Sequence, residues 1–494
     1  MKVALINPTP MSGENEKYYG QSWPPLGILL VGTILKNRGH EVKLLDQASN
    51  NLSFETVLSW VKETDPDVLG MSAMTVAFLS SIKIAQMVKG WNENITIVLG
   101  HYHPTVCDER ILETYGEVID YCVRGENEYI MANLLEYIEK GSSEEPKYIL
   151  GLTYRHNGII KRTDDCPVTK DLDSLPFFDF SLLNRKYHQN LAGIELMDSN
   201  FMGAFFSRGC PYSCTYCAVS RFSNRYYRAK SPERMVEEFL YLNSKGFTEI
   251  AFVDDNFIVN PKKALRFCNL LRKEKLDINW HIEIRVDSTS KPLLEHLVSA
   301  GCKSINFGIE SANQSVLDYY NKRITPEQSL QAVRTAKKAN VDFIIGLFML
   351  GAPFETLGEC QNTVNFALNC GVDYFFLNVV EVCPGIPMWD DLVSRNLIDE
   401  NRYWQTSTRV IDFTHSKREQ ALILNMIRDA YREFISYKRI GTLFRDLKDI
   451  LTSSYKRRIL LNFLKNIENG AKTLVRLRNL QLSGFGKFIS EDND

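Results

Sequence analysis

The chain has 494 residues, a net charge of −2 and an apolar share of 44%. This is an ordinary globular composition with length for about three domains, giving no global argument for nucleic acid and no apolar run long enough to span a bilayer. Apart from one triplet, its eleven cysteines follow no framework spacing, and Met1-Lys2-Val3-Ala4 opens a strand rather than a signal peptide, so a reducing cytoplasm is expected.

The first 140 or so residues alternate strand and helix. Strands are expected over 3–6, 41–45, 67–72, 95–99 and 119–123. Helices are expected over 24–35, 54–62, 80–89 and 129–138. Repeated β-α units of this length predict a parallel sheet covered on both faces, a flavodoxin-like Rossmann relative. Ligands of such sheets bind at the carboxyl ends of the strands. Those ends here are Asn7-Pro8-Thr9, Ser72-Ala73-Met74-Thr75, Gly100-His101-Tyr102-His103-Pro104-Thr105 and Arg124-Gly125-Glu126-Asn127-Glu128. They are small, polar or Gly-bearing. The candidate ligand-facing residues are Pro8, Ser72, Thr75, Gly100, His101, His103, Pro104, Gly125 and Glu126. Short polar βα loops are also common without any ligand.

Residues 146–200 are less regular. A hairpin turning at Asn157-Gly158 is expected, followed by a linker through Asp171-Leu172-Asp173-Ser174-Leu175-Pro176.

From 201 the alternation resumes. Strands are expected over 203–207, 249–253, 280–284, 304–309, 343–349 and 374–380, each followed by a polar or charged residue. A parallel (β/α)6 partial TIM barrel, active at its strand C-terminal ends, follows. After about 415 the period becomes helical, with segments 421–437, 443–451 and 457–467 apolar on one face. Lys438, Arg439, Lys456, Arg457, Arg458, Lys472, Arg476 and Arg478 make this region basic. Two readings stay open: a solvated basic face, or contact with anionic lipid or a lipid-like substrate. The expected domains are 1–145, 146–200, 201–415 and 416–494.

The first barrel strand delivers Cys210, Cys214 and Cys217, spaced C-x3-C-x2-C. Three local thiolates can hold three irons of a [4Fe–4S] cube. With no fourth cysteine nearby, one iron stays open for chemistry. Structural zinc would call for a second pair of ligands, and none lies close in sequence.

The triplet, with Tyr216 before its last cysteine, resembles the signature of the radical S-adenosylmethionine (SAM) enzymes. The resemblance extends through Asp254-Asp255-Asn256-Phe257, Arg285, Gly308-Ile309-Glu310-Ser311, the stretch from Gly346 to Thr356, and Pro384-Gly385-Ile386-Pro387. The first domain resembles the cobalamin-binding domain of the B12-dependent subgroup through Pro24-Pro25-Leu26-Gly27, His103-Pro104-Thr105 and the Arg124–Glu128 run. It lacks the D-x-H-x-x-G segment that supplies a histidine to cobalt in many B12 proteins. His101 stands where the family has a small residue, either as a group near cobalt or as a plain loop histidine.

The resemblance implies three cofactors: a [4Fe–4S] cluster on Cys210, Cys214 and Cys217, S-adenosylmethionine at its open iron, and cobalamin. It implies SAM contacts from Tyr216, Asp254, Asp255, Arg285, Glu310 and Ser311. Asp254 or Asp255 would take the ammonium, Arg285 the carboxylate or ribose, and Glu310 the ribose hydroxyls. The implied reaction is reductive SAM cleavage to a 5′-deoxyadenosyl radical, then methyl transfer through methylcobalamin to an unactivated carbon or phosphorus. Alternatives are radical cyclisation or rearrangement like that of the anaerobic porphyrin cyclases, tRNA methylthiolation, and a non-catalytic cluster or cobalamin sensor. Expected partners are a small-molecule substrate, anionic or lipid-like, and an external flavodoxin- or ferredoxin-type electron donor. A peripheral membrane contact is also expected.

Overall fold

The computed structural model describes residues 1–10, 23–126, 128–141, 145–184 and 200–434, with isolated positions at 187–195 and 453–461. Asn127, the expected helix 443–451, most of 457–467, and Lys438, Arg439, Lys472, Arg476 and Arg478 lie outside the described residues.

The first sheet has seven strands. In spatial order they are Glu41–Asp46, Lys2–Asn7, Val68–Ser72, Thr96–Gly100, Tyr121–Val123, Leu152–His156 and Ile159–Arg162. The first five are parallel, in the order expected of a flavodoxin-like sheet. The hairpin expected as part of a linker instead joins this sheet, running antiparallel to Tyr121–Val123. Apolar residues recur at helical spacing in Leu26–Asn37 and Tyr129–Glu139, and these helices bury them against the sheet.

One helix was not legible in the sequence. Tyr102–Tyr115 starts inside the segment expected as a loop. Its opening Tyr102-His103-Pro104-Thr105 has no helix-forming pattern. The backbone also leaves helical geometry at Cys107 (φ −127°, ψ 19°).

The second sheet has six parallel strands in chain order: Phe201–Ala204, Glu249–Phe252, Asn279–Arg285, Cys302–Glu310, Phe343–Leu350 and Tyr374–Val379. Each crosses to the next through a helix, giving an open partial barrel. The first strand ends earlier than its sequence suggests, at Ala204. Ser207–Arg208 then pairs antiparallel with Arg228–Ala229. Where the chain leaves the sheet, the Asp254 carboxylate accepts from the amides of Phe206 (3.2 Å) and Ser207 (2.6 Å), satisfying donors that no longer pair in the ladder.

The helix Lys417–Phe434 covers the barrel's last strand. Tyr431 accepts the Leu377 amide at 3.0 Å, and Phe434 packs edge-on against Phe375. One apolar core runs from the first-domain helices into the barrel. Among the described residues no helix is long and apolar enough to cross a membrane.

Candidate active site

The carboxyl ends of the two sheets face each other. The Tyr102 hydroxyl donates to the Pro384 carbonyl at 3.0 Å, which ties the start of its helix to the turn after the sixth barrel strand. Gly385 makes this approach possible, since a Cβ there would press on Val106 and the Tyr102 hydroxyl. Phe222, just after the cysteine triplet, stacks on His101 with centroids 6.2 Å apart.

The cysteine loop is held from several sides. None of the three cysteines is in a disulfide; Cys214 is buried, and Cys210 and Cys217 are partly exposed. Gly209 turns the chain into the loop at φ +77°, where a Cβ would collide with the Tyr226 carbonyl. Its amide donates to Asp255 at 2.9 Å. The Cys217 amide donates to the Cys214 carbonyl at 3.2 Å, closing a tight turn between the last two thiols. Among the described residues no three His, Cys, Asp or Glu side chains converge on one metal ion. A cube makes no such demand, because each thiolate takes a different iron.

Tyr216 points from the loop toward the fourth strand. Its hydroxyl donates to Glu310 Oε1 at 2.9 Å, and Lys322 Nζ reaches the same oxygen at 2.7 Å. Arg285 is buried, bidentate to Asp287 at 3.0 and 2.7 Å, and lies over the Tyr212 ring at 3.8 Å. Burial pushes the Asp254 carboxyl up to about 7 against the hydrogen bonds it accepts. Asp254 and Asp255 therefore both serve the backbone of the cysteine loop. Asp255 also remains solvent-accessible. Ser311 is fully buried and bonds Thr363 at 3.1 Å, so it anchors the loop after the fourth strand.

Sequence reasoning missed Glu283, Lys322 and Phe222. Glu283 shares a strand face with His281 and Arg285, while Trp280, Ile282 and Ile284 pack into the core. It is solvent-accessible, yet the protein surrounds it closely enough that burial, aided by Glu310, pushes its carboxyl up to about 7. The alternation of Trp280–Arg285 was the available signal. Lys322 and Phe222 lie between recognisable motifs and carried none.

The cobalamin-rim candidates divide. Pro8, Ser72, Thr75 and Gly100 lie at strand ends as expected. His103 and Pro104 are buried. The His103 ring packs between Phe78 (4.2 Å) and Trp404 (5.9 Å), with Nδ1 3.4 Å from Thr75. The Gly125 amide donates to Thr105 Oγ1 at 2.9 Å. Glu126 pairs with Arg208 at 3.0 Å and with Arg228, joining the rim to the cysteine loop. His101 is solvent-accessible with φ +88° and ψ −161°, a region nearly reserved for glycine. The protein around it nevertheless lowers its imidazole to about 4 by burial.

Comparison with known proteins agrees with this layout. Residues 205–367 match the model of the radical SAM superfamily, and residues 17–135 match that of the B12 binding domain. An uncharacterized methyltransferase of Pyrococcus horikoshii, PH0819, is 33% identical over 90% of this chain and 95% of its own length. The chain belongs to the cobalamin-dependent radical SAM family. The anaerobic magnesium-protoporphyrin IX monomethyl ester cyclase of Cereibacter sphaeroides is 26% identical, over 90% of this chain and 73% of its own. The structure of the radical SAM methyltransferase TsrM from Kitasatospora setae, with cobalamin and a [4Fe–4S] cluster bound, shares the fold. Its TM-score is 0.62 at 17% identity, covering 80% of this chain and 74% of that one.

Family membership implies a [4Fe–4S] cluster, S-adenosylmethionine and cobalamin, and the residues present fit them. Three cysteines outside any disulfide lie on a loop that a glycine and two carboxylates shape. Glu283 and Asp255 face solvent deep within the barrel end, and His101 does so on the opposing rim.

Proposed function

We propose that this protein is a cobalamin-dependent radical SAM methyltransferase. The carrying observation is the opposition of the two strand-end rims, with the cysteine loop on one and His101 on the other. When bound, the cluster supplies the electron that cleaves S-adenosylmethionine to a 5′-deoxyadenosyl radical, and cobalamin supplies a methyl carrier across the same space.

The chain's own residues orient these groups. Cys210, Cys214 and Cys217 would hold the cluster. Gly209 and Asp255 set the entry of their loop. Tyr216 and Glu310 form a hydrogen-bonded wall beside it. Arg285 keeps a fixed cationic face at the end of the third strand, suited to a carboxylate. Glu283, raised toward neutrality, can hold or accept a proton within the barrel. His101 and the strand ends at Pro8, Ser72, Thr75 and Gly100 would contact cobalamin. The electron donor in this reading is an external flavodoxin- or ferredoxin-type protein, and the setting is the cytoplasm.

Support for methyl transfer comes from the relative of 33% identity named as a methyltransferase. The cyclase relative favours the competing reading, an oxidative ring closure. The test is anaerobic turnover of the reconstituted protein with methyl-labelled S-adenosylmethionine and a chemical reductant. Formation of 5′-deoxyadenosine together with S-adenosylhomocysteine supports methyl transfer. 5′-Deoxyadenosine without S-adenosylhomocysteine, at full turnover, would overturn it in favour of cyclisation or rearrangement. The absence of both would leave a sensor.

A further inference from the structure

Lys322 is a buried lysine that no recognised motif contains. It follows the short helix Gln314–Tyr319, in the crossover after the fourth barrel strand. Its ammonium donates to Glu310 Oε1 at 2.7 Å and to the Tyr216 hydroxyl at 3.1 Å, and the Tyr216 hydroxyl itself donates to Glu310 at 2.9 Å. The side chains of Lys322 and Glu310 are 7% and 9% exposed, so the triangle is shielded from water.

The segment around it grips the cysteine loop along its length. The Thr215 amide donates to the Tyr320 carbonyl at 3.0 Å. Thr215 Oγ1 donates to the Tyr319 carbonyl at 3.1 Å. Asn321 Nδ2 donates to the Ser213 carbonyl at 3.0 Å and its hydroxyl at 2.8 Å. The Lys322 carbonyl accepts from Arg285 at 2.7 Å. Gly308 leaves the room this needs, because a Cβ there would lie 2.8 Å from Glu310 Oε1 and 2.9 Å from Lys322 Nζ. Burial works against the ammonium. Glu310 and the Cys214 sulfur outweigh it and hold Lys322 above the usual lysine range.

We propose that Lys322 is a positioning residue for the iron–sulfur site: it fixes the Tyr216–Glu310 pair and places a buried positive charge against the cysteine loop at Tyr216 that raises the reduction potential of the cluster held there. Reduction adds one electron, from an external one-electron donor, and no bond forms or breaks. A nearby cation favours the reduced form, and a nearby carboxylate opposes it. Removing either partner should therefore move the potential in opposite directions. A purely structural lysine would give no such pair of opposite shifts. The inference rests on the cluster implied by family membership and is independent of whether methyl transfer or cyclisation follows.

The test is an EPR-monitored redox titration of full-length protein, reconstituted anaerobically with iron and sulfide and kept free of S-adenosylmethionine. Wild type, Lys322→Met, Lys322→Arg and Glu310→Gln are compared at matched iron content. The expected result is a more negative potential for Lys322→Met, a more positive one for Glu310→Gln, and a near-wild-type value for Lys322→Arg. An unchanged potential in Lys322→Met or Glu310→Gln overturns the proposal. If Lys322→Met does not load iron, Glu310→Gln decides: a positive shift supports the proposal and no shift overturns it. Wild-type protein that binds no four-iron cluster overturns the cluster reading and this inference together. S-adenosylhomocysteine formation plays no part in either outcome, so the methyl-transfer reading fails or stands separately.

Discussion

Glu126 and Arg208 form an ion pair, 3.0 Å apart, between the first domain and the residue two positions before Cys210. Glu126 also pairs with Arg228 on the neighbouring strand, and Arg208 with Glu128. The rim that would carry cobalamin and the loop that would carry the cluster thus share one partly buried charge network. It ties the loop after the fifth strand of the first sheet to the short strand pair that precedes and follows the cysteine loop.

Breaking that network should cost both stability and metal. Removing one partner of a buried pair leaves the other uncompensated, at about 3–5 kcal/mol. In Glu126→Gln, Arg208 keeps Glu128 and only the buried Arg228 loses its carboxylate, so the loss is expected near the lower figure. Denaturant melts and iron analysis of the reconstituted variant check this. Wild-type iron content and an unmoved midpoint would contradict it.

Gly209→Ala tests the loop more locally. Alanine at φ +77° is strained by about 1–3 kcal/mol, and its Cβ meets the Tyr226 carbonyl. The expected variant is folded by far-UV circular dichroism but loads little iron. Cys210→Ala, Cys214→Ala and Cys217→Ala should each abolish 5′-deoxyadenosine formation outright. Retained activity in any one of the three would remove that residue from the ligand set.

At His101 the usual order of substitutions should invert. Glycine in place of alanine normally destabilises, because it frees the unfolded chain. At φ +88° and ψ −161° only glycine is unstrained. His101→Gly should therefore be about 1 kcal/mol more stable than His101→Ala by thermal unfolding. Equal or lower stability of the glycine variant would show that this backbone is not strained.

Glu355 gives a pH dependence with a definite sign. Its Oε2 accepts the amides of Gly351 (2.7 Å) and Ala352 (2.9 Å), while burial pushes the carboxyl up to about 7. The fold then prefers the proton between the ordinary glutamate value and about 7. The Glu355 contribution is constant below that window, declines as pH rises through it, and levels off above about 7. Each tenfold difference in proton affinity between the folded and unfolded chain is worth about 1.4 kcal/mol. Glu355→Gln keeps an acceptor for both amides and cannot ionise. Chemical denaturation at pH 5 and pH 8 should show a smaller loss for the variant than for wild type. An identical loss would mean that the ionisation of Glu355 is not coupled to folding.

The sequence by itself determined a great deal. Strand and helix periods place apolar residues on fixed faces, so the parallel β-α character of both sheets could be read from 3–6 onward, but not the antiparallel hairpin that extends the first sheet. Cys210, Cys214 and Cys217 could be read as a candidate cluster loop because such ligation depends on local spacing. What sequence could not reach depends on long-range approach. Asp254 and Asp255 appeared as candidate SAM ligands, but their commitment to the cysteine-loop backbone needs a carboxylate to meet amides more than 40 residues away. Glu126 appeared as a rim residue, and only the folded chain brings it to Arg208. Lys322 has no periodic or motif context at all. Its role emerges where three chain segments converge on Tyr216, since burial and charge neutralisation belong to the assembled interior rather than to any stretch of chain.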